Sequence, residues 1–298
     1  MNLPEDRYTS VDGHRLRYWD EGSGPPLLLL HGLGNSTLVW HQAMAGLAQR
    51  FRVVAVDLPG HGYSDMPRGH FPLSEAAGLV ALFMRQVGAE RFHVAGNSMG
   101  GVIALELGLG YPQRVTGLVL VDSAGLGRSI AWILRILSLP GIGEYLDRPS
   151  PKQVRQLLRT ILYDPGLISD ALVDEMYRQR SRPGAAKWLL RFLRTGVNVA
   201  GQRRSIQRQD QLHRLRPPLL ILWGRQDRIV PVAHAHAAAA RQPAARLHVF
   251  DRCGHWPQME HTDEFIRVVS NFLHAAEGPA RSSPAPMPRC DPTRQEPG

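Results

Sequence analysis

The sequence contains little cysteine and no long uninterrupted apolar run. Its 298 residues include only two cysteines, Cys253 and Cys290, which excludes a disulfide framework and a thiolate metal cluster. The absence of an apolar run of roughly 18–20 residues argues against an integral membrane protein. The first six residues also lack the basic-then-apolar order of a secretory signal. We therefore expect a cytoplasmic globular protein, with a hydrophobic content of 43% that is sufficient for a large core.

Positive charge is concentrated in one part of the chain. The formal net charge is +9, and residues 125–216 alone hold 17 Lys/Arg against 7 Asp/Glu. Arginines there alternate with leucines at helical spacing, which is typical of solvated helix faces. An anion-attracting surface above a binding site is the alternative. Because the sequence has no P-loop, zinc-ligand spacing or nucleic-acid recognition motif, we expect no nucleic-acid partner.

Short apolar runs alternate with helical stretches in the first part of the chain. Such continuous apolar strands, separated by helices, predict an α/β fold whose parallel sheet is covered on both faces. The predicted strands are 15–20, 26–30, 52–57, 91–95 and 116–121. The predicted helices between them are 38–49, 73–87 and 99–109.

The alternation stops after Asp122 and resumes near residue 217. Residues 125–216 are predicted to be helical, with no convincing strand, and form a helical cap inserted between core strands. Residues 1–124 and 217–277 form the predicted core domain, with further strands at 218–223 and 246–250 and helices at 232–241 and about 262–276. The Pro-rich tail at 278–298 is predicted to be disordered.

A G-x-S-x-G pattern places Ser98 at a strand-to-helix junction. Gly96-Asn97-Ser98-Met99-Gly100 directly follows the predicted strand 91–95 and opens a predicted helix. A serine in such a tight turn projects its hydroxyl above the sheet edge, and the flanking glycines allow the crowded backbone. The context therefore favours a nucleophile over a simple helix cap.

A serine nucleophile needs a base and an acid that orients it. Asp227 and His255 each follow the end of a predicted strand, in the chain order that this architecture uses. Asp122, which ends another strand, is the substitute acid. The predicted oxyanion hole comprises the backbone N–H groups of Leu33 and Met99.

These motifs together resemble the α/β-hydrolase family over roughly residues 12–276. The matching segments, in the family's order, are His31-Gly32, Asp57 to Ser64, Gly96 to Gly101, Trp223 to Asp227 and Cys253 to Trp256. Within that family, Asn97, Trp256 and Leu162-Tyr163-Asp164-Pro165 resemble the meta-cleavage-product hydrolases. Those enzymes hydrolyse a carbon–carbon bond in vinylogous diketo acids. The resemblance implies a Ser98–His255–Asp227 triad and no metal or other cofactor.

The sequence departs from that subfamily in two places. Residues 34–37 replace its usual Gly-Pro-Gly-Ala, and Met176 stands where an arginine pairs with the keto-acid end of the substrate. A thioether binds no carboxylate. Arg155 or Arg159 reaching in from another helix is the open alternative. The predicted substrate pocket consists of Gly32, Asn97, Trp256, Trp132 and Met176.

These observations favour a serine hydrolase that acts on carboxylic esters of apolar character. The first alternative is a carbon–carbon hydrolase of 2-hydroxy-6-oxo-dienoates. A second, from a different class, is a non-catalytic receptor for a small hydrophobic ligand. The amphipathic stretch 130–143 is interpreted as covering the cleft, with no stable membrane insertion expected. A homo-oligomer is left open.

Overall fold

A computed structural model describes residues 3–67 and 71–277. Its centre is an eight-stranded sheet with strand order β1-β2-β4-β3-β5-β6-β9-β10. Six neighbouring strands run parallel, whereas β1 and β2 pair antiparallel at one edge. The strands of this sheet are β1 (Arg7–Val11), β2 (His14–Glu21), β3 (Pro26–Leu30), β4 (Arg52–Val56), β5 (Phe92–Asn97), β6 (Val115–Val121), β9 (Leu219–Gly224) and β10 (Arg246–Phe250).

Helices connect the parallel strands and cover the sheet. Because β3 and β9 are buried along nearly their whole length, their sequences are continuous apolar runs rather than alternating ones. The helices around the sheet are α1 (His41–Leu47), α2 (Leu73–Gln86), α3 (Met99–Gly110), α9 (Ala233–Arg241), α10 (Pro257–Glu260) and α11 (Thr262–Ala276). The predicted α/β class with a mostly parallel sheet is confirmed, although β1 was not predicted.

The segment between β6 and β9 contributes no strand to the main sheet. It contains α4 (Trp132–Leu137), α5 (Ile142–Leu146), α6 (Pro151–Ile161), α7 (Asp170–Arg180) and α8 (Ala185–Gly196). A two-stranded ribbon, β7 (Val197–Asn198) with β8 (Gly201–Gln202), also forms there. The prediction that this segment lacks strands is therefore wrong at the ribbon, which is too short to produce a periodic pattern.

The carboxyl ends of the parallel strands meet at one edge of the sheet. The chain leaves β5 at Ser98, β6 at Asp122 and β9 just before Asp227, and His255 follows β10. Such an edge is where open α/β sheets gather their sites. Among residues 3–67 and 71–277, no helix combines the length and the apolarity needed to cross a membrane. The predicted tail at 278–298 lies outside the described residues.

Candidate active site

Ser98 occupies a strained turn between β5 and α3. Its backbone has φ 56° and ψ −115°, a conformation that non-glycine residues rarely adopt. The turn is held by the Ser98 N–H, which donates to the carbonyl of Val121 at 2.9 Å. The Ser98 carbonyl accepts the N–H groups of Gly101 and Ala124 at 3.0 and 3.1 Å. These three hydrogen bonds stabilise a backbone conformation that would be unfavourable by itself.

The glycines of the motif are explained by close backbone contacts. A Cβ on Gly96 would lie 2.2 Å from the carbonyl oxygen of Gly100. A Cβ on Gly100 would lie 2.3 Å from the carbonyl oxygen of Leu30 in β3. Because both contacts are with backbone atoms, neither can be relieved by a side-chain movement. The pattern in this chain is therefore a steric requirement of the turn that presents Ser98.

His255 and Asp227 are in direct contact. The Nδ1 atom of His255 lies 2.7 Å from Oδ2 of Asp227, and both side chains are buried. The Oδ1 atom of Asp227 accepts the N–H groups of Ile229 and Val230 at 2.7 and 3.1 Å. An ionised Asp227 accepts only, so Nδ1 carries the proton in this bond and Nε2 is left as the basic nitrogen.

Asn97 joins the serine turn to the histidine loop. Its amide nitrogen donates to the carbonyls of Val121 at 3.2 Å and of His255 at 3.1 Å. Since Asn97 directly precedes Ser98, these bonds place the turn of Ser98 beside the backbone of His255. The predicted base and acid are thus in contact, and the turn that carries the predicted nucleophile is bonded to the backbone of the base.

The loop that carries His255 is also bonded to the segment between β6 and β9. The His255 N–H donates to the carbonyl of Ile161, at the end of α6, at 2.8 Å. Glu260 accepts the N–H of Gly254 at 2.8 Å and that of Tyr163 at 2.6 Å. Sequence analysis missed Glu260, because an acidic residue on a short helix produces no motif.

The turn after β3 faces the same site. The N–H of Asn35 donates to the carbonyl of Gly32 at 3.3 Å, and Gly34 takes φ 71° as the turn requires. Leu33 is second in this turn, so its N–H is not used in the turn's own hydrogen bond. Met99 is the first residue of α3, where an N–H has no intrahelical acceptor. Both predicted oxyanion donors therefore lie in suitable backbone positions.

His31 holds this turn against the loop after β4. Its Nε2 accepts the N–H of Leu58 at 3.0 Å, and its Nδ1 lies 2.8 Å from the carbonyl of Gly32. Burial lowers the pKa of His31 to about 4, so the ring is neutral near pH 7. This geometry agrees with its interpretation as a structural residue.

Asp122 lies beside the acid–base pair. A carboxylate oxygen of Asp122, a carboxylate oxygen of Asp227 and a ring nitrogen of His255 all lie within 4.8 Å of one another. In the described residues, this is the only group of three or more side chains that could together hold a metal ion. The Nδ1 atom of His255 is already joined to Oδ2 of Asp227. Burial raises the pKa of Asp122 well above its usual range, and the charge of Asp227 raises it further.

A cavity of about 70 Å³ adjoins Ser98 and is almost entirely apolar. It lies between the strand ends and the segment that precedes β9. The described residues that line it include no ionisable side chain. They are Leu33, Leu73, Ser98, Met99, Val102, Ala124, Ile130, Leu134, Phe192, Leu193, Thr195, Gly196, Val197 and Ile206.

The residues predicted to line the substrate pocket lie elsewhere. Trp132 is 69% exposed, because the start of α4 turns it to solvent while Leu134 faces the cavity. Asn97 and Trp256 are fully buried, and Met176 packs in the hydrophobic core. Gly32 lies against the nucleophile, since a Cβ built on it would lie 3.1 Å from the Cβ of Ser98. None of these four side chains belongs to the described lining of the cavity, so their part in a substrate pocket stays a prediction.

The two candidate cations are also placed away from the cavity. Arg155 pairs with Asp170 on α7, and Arg159 is exposed on α6. Neither belongs to the described lining of the cavity. Neither Arg155 nor Arg159 therefore takes the place of the arginine that the subfamily has at the position of Met176.

Comparison with known proteins identifies the family. A model of the alpha/beta hydrolase fold matches residues 25–262. The chain belongs to the α/β-hydrolase fold family. Its sequence is 32% identical, over 88% of the chain and 92% of the relative, to a 2-hydroxy-6-oxononadienedioate/2-hydroxy-6-oxononatrienedioate hydrolase of Comamonas testosteroni.

Other relatives of this α/β hydrolase have different activities. It is 34% identical to the dihydrolipoyllysine-residue acetyltransferase component of the acetoin cleaving system of Cupriavidus necator, over 90% of the chain and 68% of that protein. The crystal structure of a bacterial membrane phospholipase A superposes with a TM-score of 0.78 at 26% identity, over 92% of this chain and 87% of that one. Overall similarity therefore establishes the family and leaves the reaction to be argued from the site.

Proposed function

We propose that this α/β hydrolase is a serine hydrolase of carboxylic esters with an apolar acyl or alcohol group. The observation that carries the proposal is the cavity beside Ser98, whose described lining is apolar and contains no ionisable side chain. An uncharged hydrocarbon group is favoured in such a cavity by burial. A carboxylate there would lose its hydration without gaining a cationic partner.

In the proposed mechanism, Ser98 Oγ attacks the ester carbonyl carbon while Nε2 of His255 takes the hydroxyl proton. Asp227 holds Nδ1–H at 2.7 Å and stabilises the imidazolium that forms. The N–H groups of Leu33 and Met99 stabilise the oxyanion, each contributing about 3–4 kcal/mol. His255 then protonates the departing alcohol, and an acyl group remains on Ser98. Water, deprotonated by His255, attacks this acyl-enzyme and releases the acid.

Residues 125–216 serve as the cap in this proposal, and residues 1–124 with 217–277 as the core. The cap supplies Ile130, Leu134 and Phe192 to the cavity, opposite Met99 and Val102 from α3. A wall built from both parts excludes water from the acyl group, which strengthens the electrostatic stabilisation of the oxyanion. The substrate in this account is a small molecule, and no cofactor takes part.

Carbon–carbon hydrolysis of a dienoate is the second candidate function. It is supported by the 32% identity to the Comamonas testosteroni hydrolase, which is named for 2-hydroxy-6-oxononadienedioate and 2-hydroxy-6-oxononatrienedioate. Those substrates carry carboxylates that need a cationic partner. The burial of Met176 in the core and the pairing of Arg155 with Asp170 favour the ester reaction instead.

A comparison of two substrate types tests the proposal. The measurement is kcat/KM for p-nitrophenyl esters of increasing acyl length and for a coloured ring-fission dienoate, with the same enzyme preparation. We expect steady multiple turnover of esters and at least a hundredfold lower kcat/KM for the dienoate. Faster bleaching of the dienoate would favour the second candidate. A single stoichiometric acylation without further turnover would favour a ligand receptor.

A further inference from the structure

Asp122 is a fully buried carboxyl group that the proposed mechanism does not use. It ends the turn after β6 with φ 46°, and it has no solvent exposure. Its Oδ1 accepts the N–H of Gly224 at 2.9 Å. Its Oδ2 is buried and receives no donor from the described residues. An ionised carboxylate with one empty oxygen in such a place would be strongly disfavoured.

The neighbour of Asp122 is itself a carboxyl group. A carboxylate oxygen of Asp122 lies within 4.8 Å of one of Asp227, and a ring nitrogen of His255 lies within the same distance of both. Two carboxylates are both acceptors, so direct contact between them is repulsive when both are ionised. One shared proton turns this repulsion into a hydrogen bond.

The donors around the two groups decide which of them holds the proton. Asp227 accepts three: Nδ1–H of His255 and the N–H groups of Ile229 and Val230. Asp122 accepts only the N–H of Gly224 among the described donors. Hydrogen bonds to a carboxylate favour its charged form, so the negative charge belongs on Asp227.

We propose that Asp122 is protonated in the folded protein and donates this proton to Asp227, and so acts as a positioning residue for the acid that orients His255. The shared proton is inferred from the burial, the donors and the proximity of the two carboxyl groups. The positioning role also rests on the proposed function. Burial and the charge of Asp227 raise the pKa of Asp122 in the same direction.

The other titratable groups near Asp122 do not offer it a positive charge. Glu260 is a further carboxyl group that raises the pKa of Asp122, and Asp122 and Glu260 each raise the pKa of the Cys253 thiol in addition to its burial. His255 directs its Nδ1–H to Asp227. The proton on Asp122 therefore reduces the total negative charge of this group of buried side chains.

The pH dependence of stability tests the proton directly. The folded protein holds a proton that the unfolded chain releases above about pH 3.9, so folded wild type loses stability as pH rises from there. Asp122→Asn keeps the shape, tolerates the positive φ and supplies an N–H donor, but takes up no proton. The quantity to measure is the Tm of Asp122→Asn minus the Tm of wild type at each pH. We expect this difference to increase by a few degrees from pH 5 to pH 8. A constant or falling difference would overturn the proposal.

Asp57→Asn is the matched control. Asp57 is equally buried, but it accepts from Arg17 at 2.9 Å and from the N–H groups of Thr37 and Tyr63 at 2.7 and 2.8 Å. Asp57→Asn leaves these donors with a weaker acceptor, so its Tm is expected to be lower than that of wild type by a similar amount at pH 5 and at pH 8. A Tm difference that rises with pH for Asp122→Asn, beside a constant one for Asp57→Asn, would mark Asp122 as the carboxyl group that holds a proton.

Infrared spectroscopy and turnover complete the test. The difference spectrum of wild type minus Asp122→Asn at neutral pH should show the carbonyl stretch of a protonated carboxyl; carboxylate bands alone would refute the protonation. Asp122→Gly, which allows the positive φ, should lower kcat roughly tenfold at similar KM, with Asp122→Asn recovering most of the loss. Unchanged kcat in the glycine variant would overturn the positioning role. If no ester is turned over, the Tm and infrared results still decide the protonation, so the two proposals fail separately.

Discussion

The backbone N–H of His255 donates to the carbonyl of Ile161 at 2.8 Å. This bond joins the loop of the proposed base to the end of α6, in the segment proposed as the cap. Glu260 reinforces the connection by accepting from Gly254 on one side and from Tyr163 on the other. The position of the imidazole is therefore determined by the cap as well as by the core, so changes in this contact should affect the reaction.

Replacing Glu260 tests this coupling. Glu260→Ala leaves the N–H of Gly254 without its acceptor, so the free energy of unfolding should fall by about 1–3 kcal/mol. We also expect kcat on an ester to fall roughly tenfold, because a hydrogen bond of the loop that carries the base is lost. Urea unfolding and steady-state kinetics measure the two effects.

Glu264→Ala provides the control for this change. Glu264 is a partly exposed residue of α11 that pairs with His248 at 3.1 Å and Arg267 at 3.7 Å. Such a surface change should alter stability by no more than about 0.5 kcal/mol and leave kcat unaffected. An equal effect of both substitutions would argue against a special role for Glu260.

The side chains that line the cavity beside Ser98 are expected to determine which acyl chain lengths the enzyme prefers. Leu134→Ala removes apolar atoms from the cavity beside Ser98. The ratio of kcat/KM for long-chain over short-chain p-nitrophenyl esters should rise about tenfold, since longer acyl groups then fit. Leu137→Ala, on the same helix but outside the described lining, should leave this ratio unchanged. A shift in the second variant and none in the first would place the acyl group elsewhere.

The buried His31 predicts a loss of stability in acid. Its folded pKa is lowered by burial to about 4 from an ordinary 6.5, so the unfolded chain binds a proton first as pH falls. The contribution is fully present above pH 6.5 and is lost between pH 6.5 and pH 4, by about 3 kcal/mol. His31→Gln should remove this part of the pH dependence in urea unfolding at pH 7 and pH 4.5. The exposed His274→Gln should keep the wild-type loss; an identical loss in all three proteins would contradict the account.

The fold could be predicted from sequence because its elements carry strong local patterns. The buried strands β3 and β9 are continuous apolar runs, and the predicted final helix matches Thr262–Ala276. The turn at Ser98 could also be located, since the G-x-S-x-G pattern lies directly between a strand and a helix. By contrast, β1 at the sheet edge is mostly exposed and carries little apolar signal.

The details of the site depend on tertiary contacts that leave no local pattern. Phe192 and Ile206 reach the cavity from separate elements of the segment before β9, and Asp122 and Asp227 approach each other from the loops after β6 and β9. Trp132 was predicted inside the pocket because its segment is densely apolar, but composition does not specify which face of a short helix is buried. The catalytic roles of Ser98, His255 and Asp227 stay predictions that activity measurements must test.

The most direct test of the central claim is labelling of the protein with a fluorophosphonate, followed by mapping of the modified peptide. The account predicts a single adduct on Ser98 and loss of the label in Ser98→Ala. That variant should keep its Tm while ester turnover falls by about 10⁴–10⁶-fold. A label on a different residue, or retained turnover in Ser98→Ala with contaminating esterase excluded, would contradict it.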